Sequence, residues 1–174
     1  MATILKNNTE YLRDNLPKQK GRTLIVGSHV YPGRVDRRLA YKDAIGIDMI
    51  AGDGVDYVLN LECDISTEIG MFDHIECCSV LEHSKKPWAL ASNLERRLLK
   101  GGTIFIAAPF VWRHHGYPDD YFRFTVNGIK SLFNNIEWEF DTTTYFEENL
   151  KPIVKINGAP YLARAESICF GHKL

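Results

Sequence analysis

No stretch of this 174-residue chain approaches eighteen consecutive apolar residues, and no basic region followed by an apolar run opens it. The first absence argues against a membrane-spanning helix and the second against a secretory leader, so the expectation is a soluble, cytoplasmic protein with no membrane partner. A surplus of charge is also missing: 21 basic and 22 acidic residues leave a net charge of −1. Proteins that hold bulk nucleic acid electrostatically carry a basic excess, so that class of partner is not expected. Cysteine is sparse. Cys63, Cys77, Cys78 and Cys169 form no CxxC pair and no disulfide framework. Cys77 and Cys78 lie inside an apolar run and are read as small buried hydrophobes in a reducing compartment.

Several catalytic signatures are absent too. The chain has no G-x-S-x-G elbow and no phosphate-binding glycine–lysine loop. No HxH or HxxxH spacing occurs, and the adjacent His114 and His115 would point apart, so no metal site is expected. The dinucleotide pattern GxGxxG is missing, because Gly27 is followed by Ser28-His29-Val30-Tyr31-Pro32. That disfavours a pyrophosphate-bearing nicotinamide cofactor.

What is present is an alternation of apolar runs with helical or loop segments. An apolar fraction of 45% suffices for one sizeable core. Residues 1–20 are expected to form a helical extension, with Ile4, Leu5, Tyr11, Leu12 and Leu16 at roughly helical spacing before Pro17. Residues 21–174 are expected to form a single domain. Strands are expected at 23–26, 44–48, 57–60, 72–79 and 103–108, the last ended by Pro109. A helix carrying Leu90, Leu94, Leu98 and Leu99 on one face is expected to stop at Gly101-Gly102. Continuous apolar strands in this rhythm belong to a parallel sheet covered by helices. A short helix over 126–134 and strands at 136–142 and 165–172 follow, joined without a clear crossover helix. The architecture expected is α/β: a Rossmann-like, doubly wound, mostly parallel seven-stranded sheet with an antiparallel C-terminal edge.

Two positions then point to a nucleotide cofactor. Gly27 directly follows a strand, where a glycine lets the chain turn sharply and its backbone approach a ligand. A tight turn alone would explain it equally well. Asp48 ends the next strand about twenty residues on, where a carboxylate can accept hydrogen bonds from both ribose hydroxyls.

The segments GIDMIAGDGVDYVLN, FDHIECCSVLEH, LLKGGTIFIAAPF and HGYPDDYFRFT follow one another in order. This succession resembles the class I S-adenosylmethionine-dependent methyltransferases over about residues 21–134. The resemblance implies S-adenosylmethionine as cofactor. It implies that Gly27 and Ser28 lie along its methionine part, that Asp48 binds the ribose, and that Met49 packs on the adenine. By the same resemblance Asn60 and Leu61 flank the adenine, Cys78 and Ser79 end the fourth strand beneath the cofactor, and Leu81-Glu82-His83 form the turn after it. The sequence departs from the pattern at Ile25, where many members carry an acid, at His29, where a second glycine is common, and at Asn60, where an Asp is common.

The segment after the fifth strand lies where open α/β sheets bind substrate. Methyl transfer to a hydroxyl needs a base, and His115 is the first candidate, with His114 second. Asp120 could orient that imidazole or hold Arg123. Arg123 could bind an acidic substrate or pair with Asp119 or Asp120. Alternatively the segment is a structural lid, in which Tyr121, Phe122 and Phe124 pack and Thr125 caps the next helix. Glu82 reads as a structural or helix-terminal charge; His83 reads equally as a backbone-satisfied residue or as a wall of the cofactor pocket. The expected acceptor is a small molecule or glycan, and a homodimer is compatible with the sequence. The competing reading is a non-catalytic cofactor-binding or partner-binding domain.

Overall fold

The computed structural model describes residues 13, 15, 16, 20–63, 69–116, 119–145, 155–156, 159–160 and 165–174. Seven strands make one sheet: β1 (Arg22–Val26), β2 (Asp43–Asp48), β3 (Tyr57–Val58), β4 (Phe72–Cys78), β5 (Leu98–Val111), β6 (Ile136–Tyr145) and β9 (Ala165–Lys173). A separate two-stranded ribbon pairs β7 (Lys155–Ile156) with β8 (Ala159–Pro160). The sheet order is β3-β2-β1-β4-β5-β9-β6. Strands β1 to β5 pair in parallel, whereas β9 runs antiparallel to both β5 and β6. The order reverses between β1 and β4, and such a switch point opens a crevice at the carboxyl ends of the strands.

Side-chain alternation divides the sheet into two unlike faces. Leu24 and Val26 of β1, Ile75 and Cys77 of β4, and Ile104, Ile106 and Ala108 of β5 enter the larger apolar core. Helix α1 (Pro87–Arg97) covers that face with Leu90, Ala91 and Leu94, and helix α2 (Val126–Lys130) adds Ile129. Truncating one of these fully buried aliphatics to Ala would cost about 2–5 kcal/mol. The other face is mixed. Phe105, Ala107, Ile168 and Phe170 form a small apolar cluster with Leu16 against it. Beside them His74 and Glu76 are buried, with Glu76 held by the Tyr41 hydroxyl at 2.9 Å and by Arg37 at 3.0 Å.

Several boundaries differ from the sequence expectation. Helix α1 ends at Arg97, and Leu98 and Leu99 already belong to β5. Leu98 continues the i, i+4 series of Leu90 and Leu94 and is fully buried, so one spacing satisfies both a helix and the strand that leaves it. Leu99 is partly exposed and does not join the helix's apolar face. Pro109 does not stop β5. It pairs with Glu166 next to a register shift, where a missing N–H is tolerated, and its carbonyl accepts from the Phe124 N–H at 2.9 Å. Strand β3 closes at Val58, short of Asn60, and α2 closes at Lys130. Of the leading helix expected over 3–16, Arg13 and Asn15 are helical, Leu16 lies in a bend, and the remainder lies outside the described residues. Among the described residues no helix is long and apolar enough to cross a membrane, and the four cysteines are free.

Candidate active site

The crevice at the switch point is a cavity of about 510 Å³. Of the residues singled out in the sequence, Gly27, Asp48, Met49, Asn60, Leu61, Ser79, His83 and His115 line it. Ser28, Cys78, Asp120, Arg123 and His114 do not.

The wall on the β1–β3 side is built by backbone geometry. Gly27 sits at φ 68°, in the left-handed region that suits glycine, and a Cβ there would lie 2.5 Å from Val80 Cγ2. Gly27 and Ser28 both donate their N–H to the Ile47 carbonyl, at 2.9 and 3.1 Å, which locks the turn to the end of β2. Asp48 Oδ2 accepts from the His29 N–H at 3.2 Å and Oδ1 from the Ile50 N–H at 3.1 Å. Each oxygen keeps a lone pair for a ligand hydroxyl. The missing second glycine is accommodated because the His29 ring stacks on Tyr31, with centroids 4.8 Å apart, and covers Gly52. Asn60 Oδ1 accepts from the Glu62 N–H at 2.9 Å, so the amide spends one acceptor site on its own turn.

Ser28, Cys78, His114 and Arg123 lie off the cavity, and Arg123 takes the internal pairing that the sequence left open. Ser28 is buried, with its Oγ against Gly46, and packs the turn rather than facing the cavity. Cys78 points to the opposite sheet face, its sulfur 3.8 Å from Glu76, and burial pushes its thiol well above the usual range. Ser79 at the cavity floor is the one non-glycine among the described residues with a left-handed φ, 54°. Arg123 is consumed internally. It forms a two-pronged pair with Asp120 and donates to the carbonyls of Trp112, Arg113 and Phe122, which leaves no free fork for an acidic substrate. His114 is exposed.

Asp120 touches both partners the sequence allowed for it. Besides clamping Arg123, its Oδ2 accepts the His115 N–H at 2.7 Å and lies 3.1 Å from His115 Nδ1. The Arg123 guanidinium holds the Asp120 carboxyl well below the usual carboxylate range. His115 is thereby placed at the cavity edge with a T-shaped contact to the His83 ring at 4.9 Å.

The residues that sequence reasoning missed sit behind or between these. Arg37 donates to the Val26 and Gly27 carbonyls at 3.0 and 3.1 Å while pairing with Glu76, and so braces the turn from below. Glu62 lines the cavity and accepts from Ser84 Oγ and the Lys85 N–H, at 3.0 and 2.6 Å. Arg34 also lines it. Glu82 is 1% exposed, and neither carboxylate oxygen has a hydrogen-bond partner. Burial pushes its carboxyl up to about 8. Arg37, Glu62 and Arg34 carry no motif, and Glu82 reads in the sequence only as a structural or helix-terminal charge; loop positions show no periodicity that would expose such roles.

Compared by sequence, the chain matches no family model and no curated relative. Compared by structure, it superposes on a proposed methyltransferase from Bacillus halodurans C-125 with a TM-score of 0.61 at 17% identity, covering 97% of this chain and 98% of that one. The N-methyltransferase NodS from Bradyrhizobium japonicum WM9, in complex with S-adenosylhomocysteine, gives 0.58 at 10% identity over 87% of this chain and 77% of NodS. The N-terminal domain of EvdMO1, in the presence of S-adenosylhomocysteine and D-fucose, gives 0.57 at 13% identity over 96% and 82%. These likenesses establish the class of fold: the mostly parallel seven-stranded methyltransferase sheet with an antiparallel C-terminal edge. At such identities they establish the fold alone.

Proposed function

We propose that this chain is an S-adenosylmethionine-dependent methyltransferase acting on a hydroxyl of a small molecule or glycan. One observation carries the reading: a single cavity is bounded by the Gly27 turn and the Asp48 carboxylate on one side and by His115 on the other. The residues fit the cofactor. Asp48 keeps acceptor capacity for the ribose, Met49, Leu59, Leu61 and Leu90 give an apolar slot, and a side chain in place of Gly27 hydrogen would enter Val80. S-adenosylmethionine supplies an electrophilic methyl group on a sulfonium.

The remaining work falls to the chain's own residues. Asp120 orients the His115 imidazole through Nδ1, which leaves Nε2 as the atom able to take the acceptor's proton. Holding the acceptor in line beside that imidazole supplies the proximity term. Two neighbours support the reading, NodS by its bound S-adenosylhomocysteine and EvdMO1 by the sugar present with that ligand. Calorimetric titration of S-adenosylhomocysteine into the wild-type protein and into Asp48→Ala tests the cofactor assignment. Micromolar binding that the substitution weakens is expected; no binding at millimolar ligand would overturn it. Product formation across a panel of hydroxylated acceptors, with His115→Ala as comparison, separates an enzyme from a binding domain.

A further inference from the structure

We propose that Glu82, His83 and His115 form a site for one divalent first-row transition metal ion, with zinc the simplest case, at the edge of the cavity. One ligand atom from each residue lies within 4.8 Å of the other two. Glu82 Oε1 is 3.7 Å from His83 Nε2 and 4.0 Å from His115 Nε2. Zinc bonds of about 2.0–2.2 Å put tetrahedral ligands roughly 3.3–3.6 Å apart, so the trio needs only a small contraction.

Three observations favour a cation. First, the Glu82 carboxylate is buried without a hydrogen-bond donor, a costly state that a bound cation relieves. Second, each imidazole is tied at its other nitrogen. His83 Nδ1 lies 2.5 Å from the Asp119 carbonyl, and His115 Nδ1 lies 3.1 Å from Asp120 Oδ2 and 3.2 Å from the Arg113 carbonyl. Acceptors at Nδ1 require its proton there, which leaves a lone pair on each Nε2 toward Glu82. Carbonyl and carboxylate partners behind metal-binding imidazoles orient ligands in this way. Third, His83 and His115 line the cavity, so a fourth coordination position would open toward it. Two imidazoles with one carboxylate suit zinc, cobalt or iron better than magnesium or calcium.

An unassisted Glu82–His ion pair explains the cluster less well, since both separations exceed hydrogen-bond length. The metal and the base role are exclusive at His115 Nε2. With the ion bound, His83, His115 and Glu82 would hold it, and it would supply Lewis acidity toward an acceptor hydroxyl in place of the His115 base.

The test is to strip the purified protein with chelator and titrate it with zinc by calorimetry and with cobalt by visible absorption. One equivalent bound, with affinity lowered at least tenfold in each of Glu82→Gln and His115→Asn, is expected. Cys63→Ser, which removes an exposed thiol, should leave binding intact. X-ray absorption on the zinc-loaded wild type requires no variant to fold, and a shell of nitrogen and oxygen with two imidazoles is expected. A sulfur-containing shell, or no stoichiometric binding at about 100 μM zinc, would overturn the site. S-adenosylhomocysteine binding to the wild type, measured in parallel, reports on the cofactor reading separately.

Discussion

The two walls of the cavity are made differently. On the β1–β3 side, the polar groups facing the cavity are already fixed by backbone partners: Asp48 by His29 and Ile50, Asn60 by Glu62, and the Gly27 turn by Ile47. On the other side stand His83 and His115, backed by Glu82, Asp120 and Arg123, where the buried Glu82 carboxyl has no hydrogen-bond partner and two imidazoles turn a nitrogen toward it. A wall whose groups are held in place suits binding; a wall whose buried carboxyl has no hydrogen-bond partner suits chemistry. The comparison predicts that substitutions on the first wall change affinity and those on the second change rate.

The largest effect is expected at His115. His115→Ala should lower kcat by about 10²–10⁴-fold, the usual range for a lost proton-transfer group, with a far smaller change in S-adenosylhomocysteine affinity. A loss confined to affinity would erase the distinction between the walls.

Asp120→Ala should come next. The Asp120 side chain is 1% exposed and joins Arg123 to the His115 backbone and ring. Because Arg123 stays partly exposed, removing its partner costs about 1–3 kcal/mol, readable as a lower urea midpoint at unchanged slope. Because the Asp120 carboxyl is held below its ordinary range, that contribution is present at neutral pH and fades only in strong acid. Destabilisation below about 1 kcal/mol would make Asp120 a surface residue in energetic terms.

How much of this the sequence showed follows from the kind of signal each feature leaves. The strands appear as apolar runs because both faces of a parallel sheet are covered, and Gly27 and Asp48 are legible because they end such runs. The α1–β5 boundary was hidden because Leu90, Leu94 and Leu98 keep helical spacing across it. Arg37, Arg34, Glu62 and the role of Glu82 were hidden because they act from loops and a short 3₁₀ turn, where function depends on distance in space. His83 and His115 could not be read as a pair: they come from separate loops and meet only once β4 and β5 lie side by side.

The underside of the sheet brings a pH response that must be separated from the walls' own. His74 is buried, with Nδ1 2.9 Å from Thr103 Oγ1, and burial lowers its pKa to about 4. The unfolded chain takes up this proton near pH 6.5, whereas the folded one refuses it until about 4. This group therefore costs nothing above pH 6.5 and removes stability as pH falls between those values, by about 2 kcal/mol at pH 5. Thermal melts at pH 7 and pH 5 should show that acid loss in the wild type and its absence in His74→Gln. An equal loss in both would place the acid sensitivity in the walls instead.

The smallest effect is the sharpest test of the first wall. Asp48→Asn preserves shape and one acceptor oxygen, and the new amide can still receive the His29 or the Ile50 N–H. What it loses is charge and half of its acceptor capacity toward a ribose diol. Hydrogen bonds to charged groups contribute about 1.5–3 kcal/mol against about 1 for neutral ones, so a tenfold weakening of S-adenosylhomocysteine is expected. With cofactor saturating, kcat should stay within about twofold, since an interaction made equally in ground and transition states cancels from the chemical step. A large fall in kcat at saturation would mean that Asp48 also fixes the loop on which the methyl donor is aimed, and the two walls would then act as one.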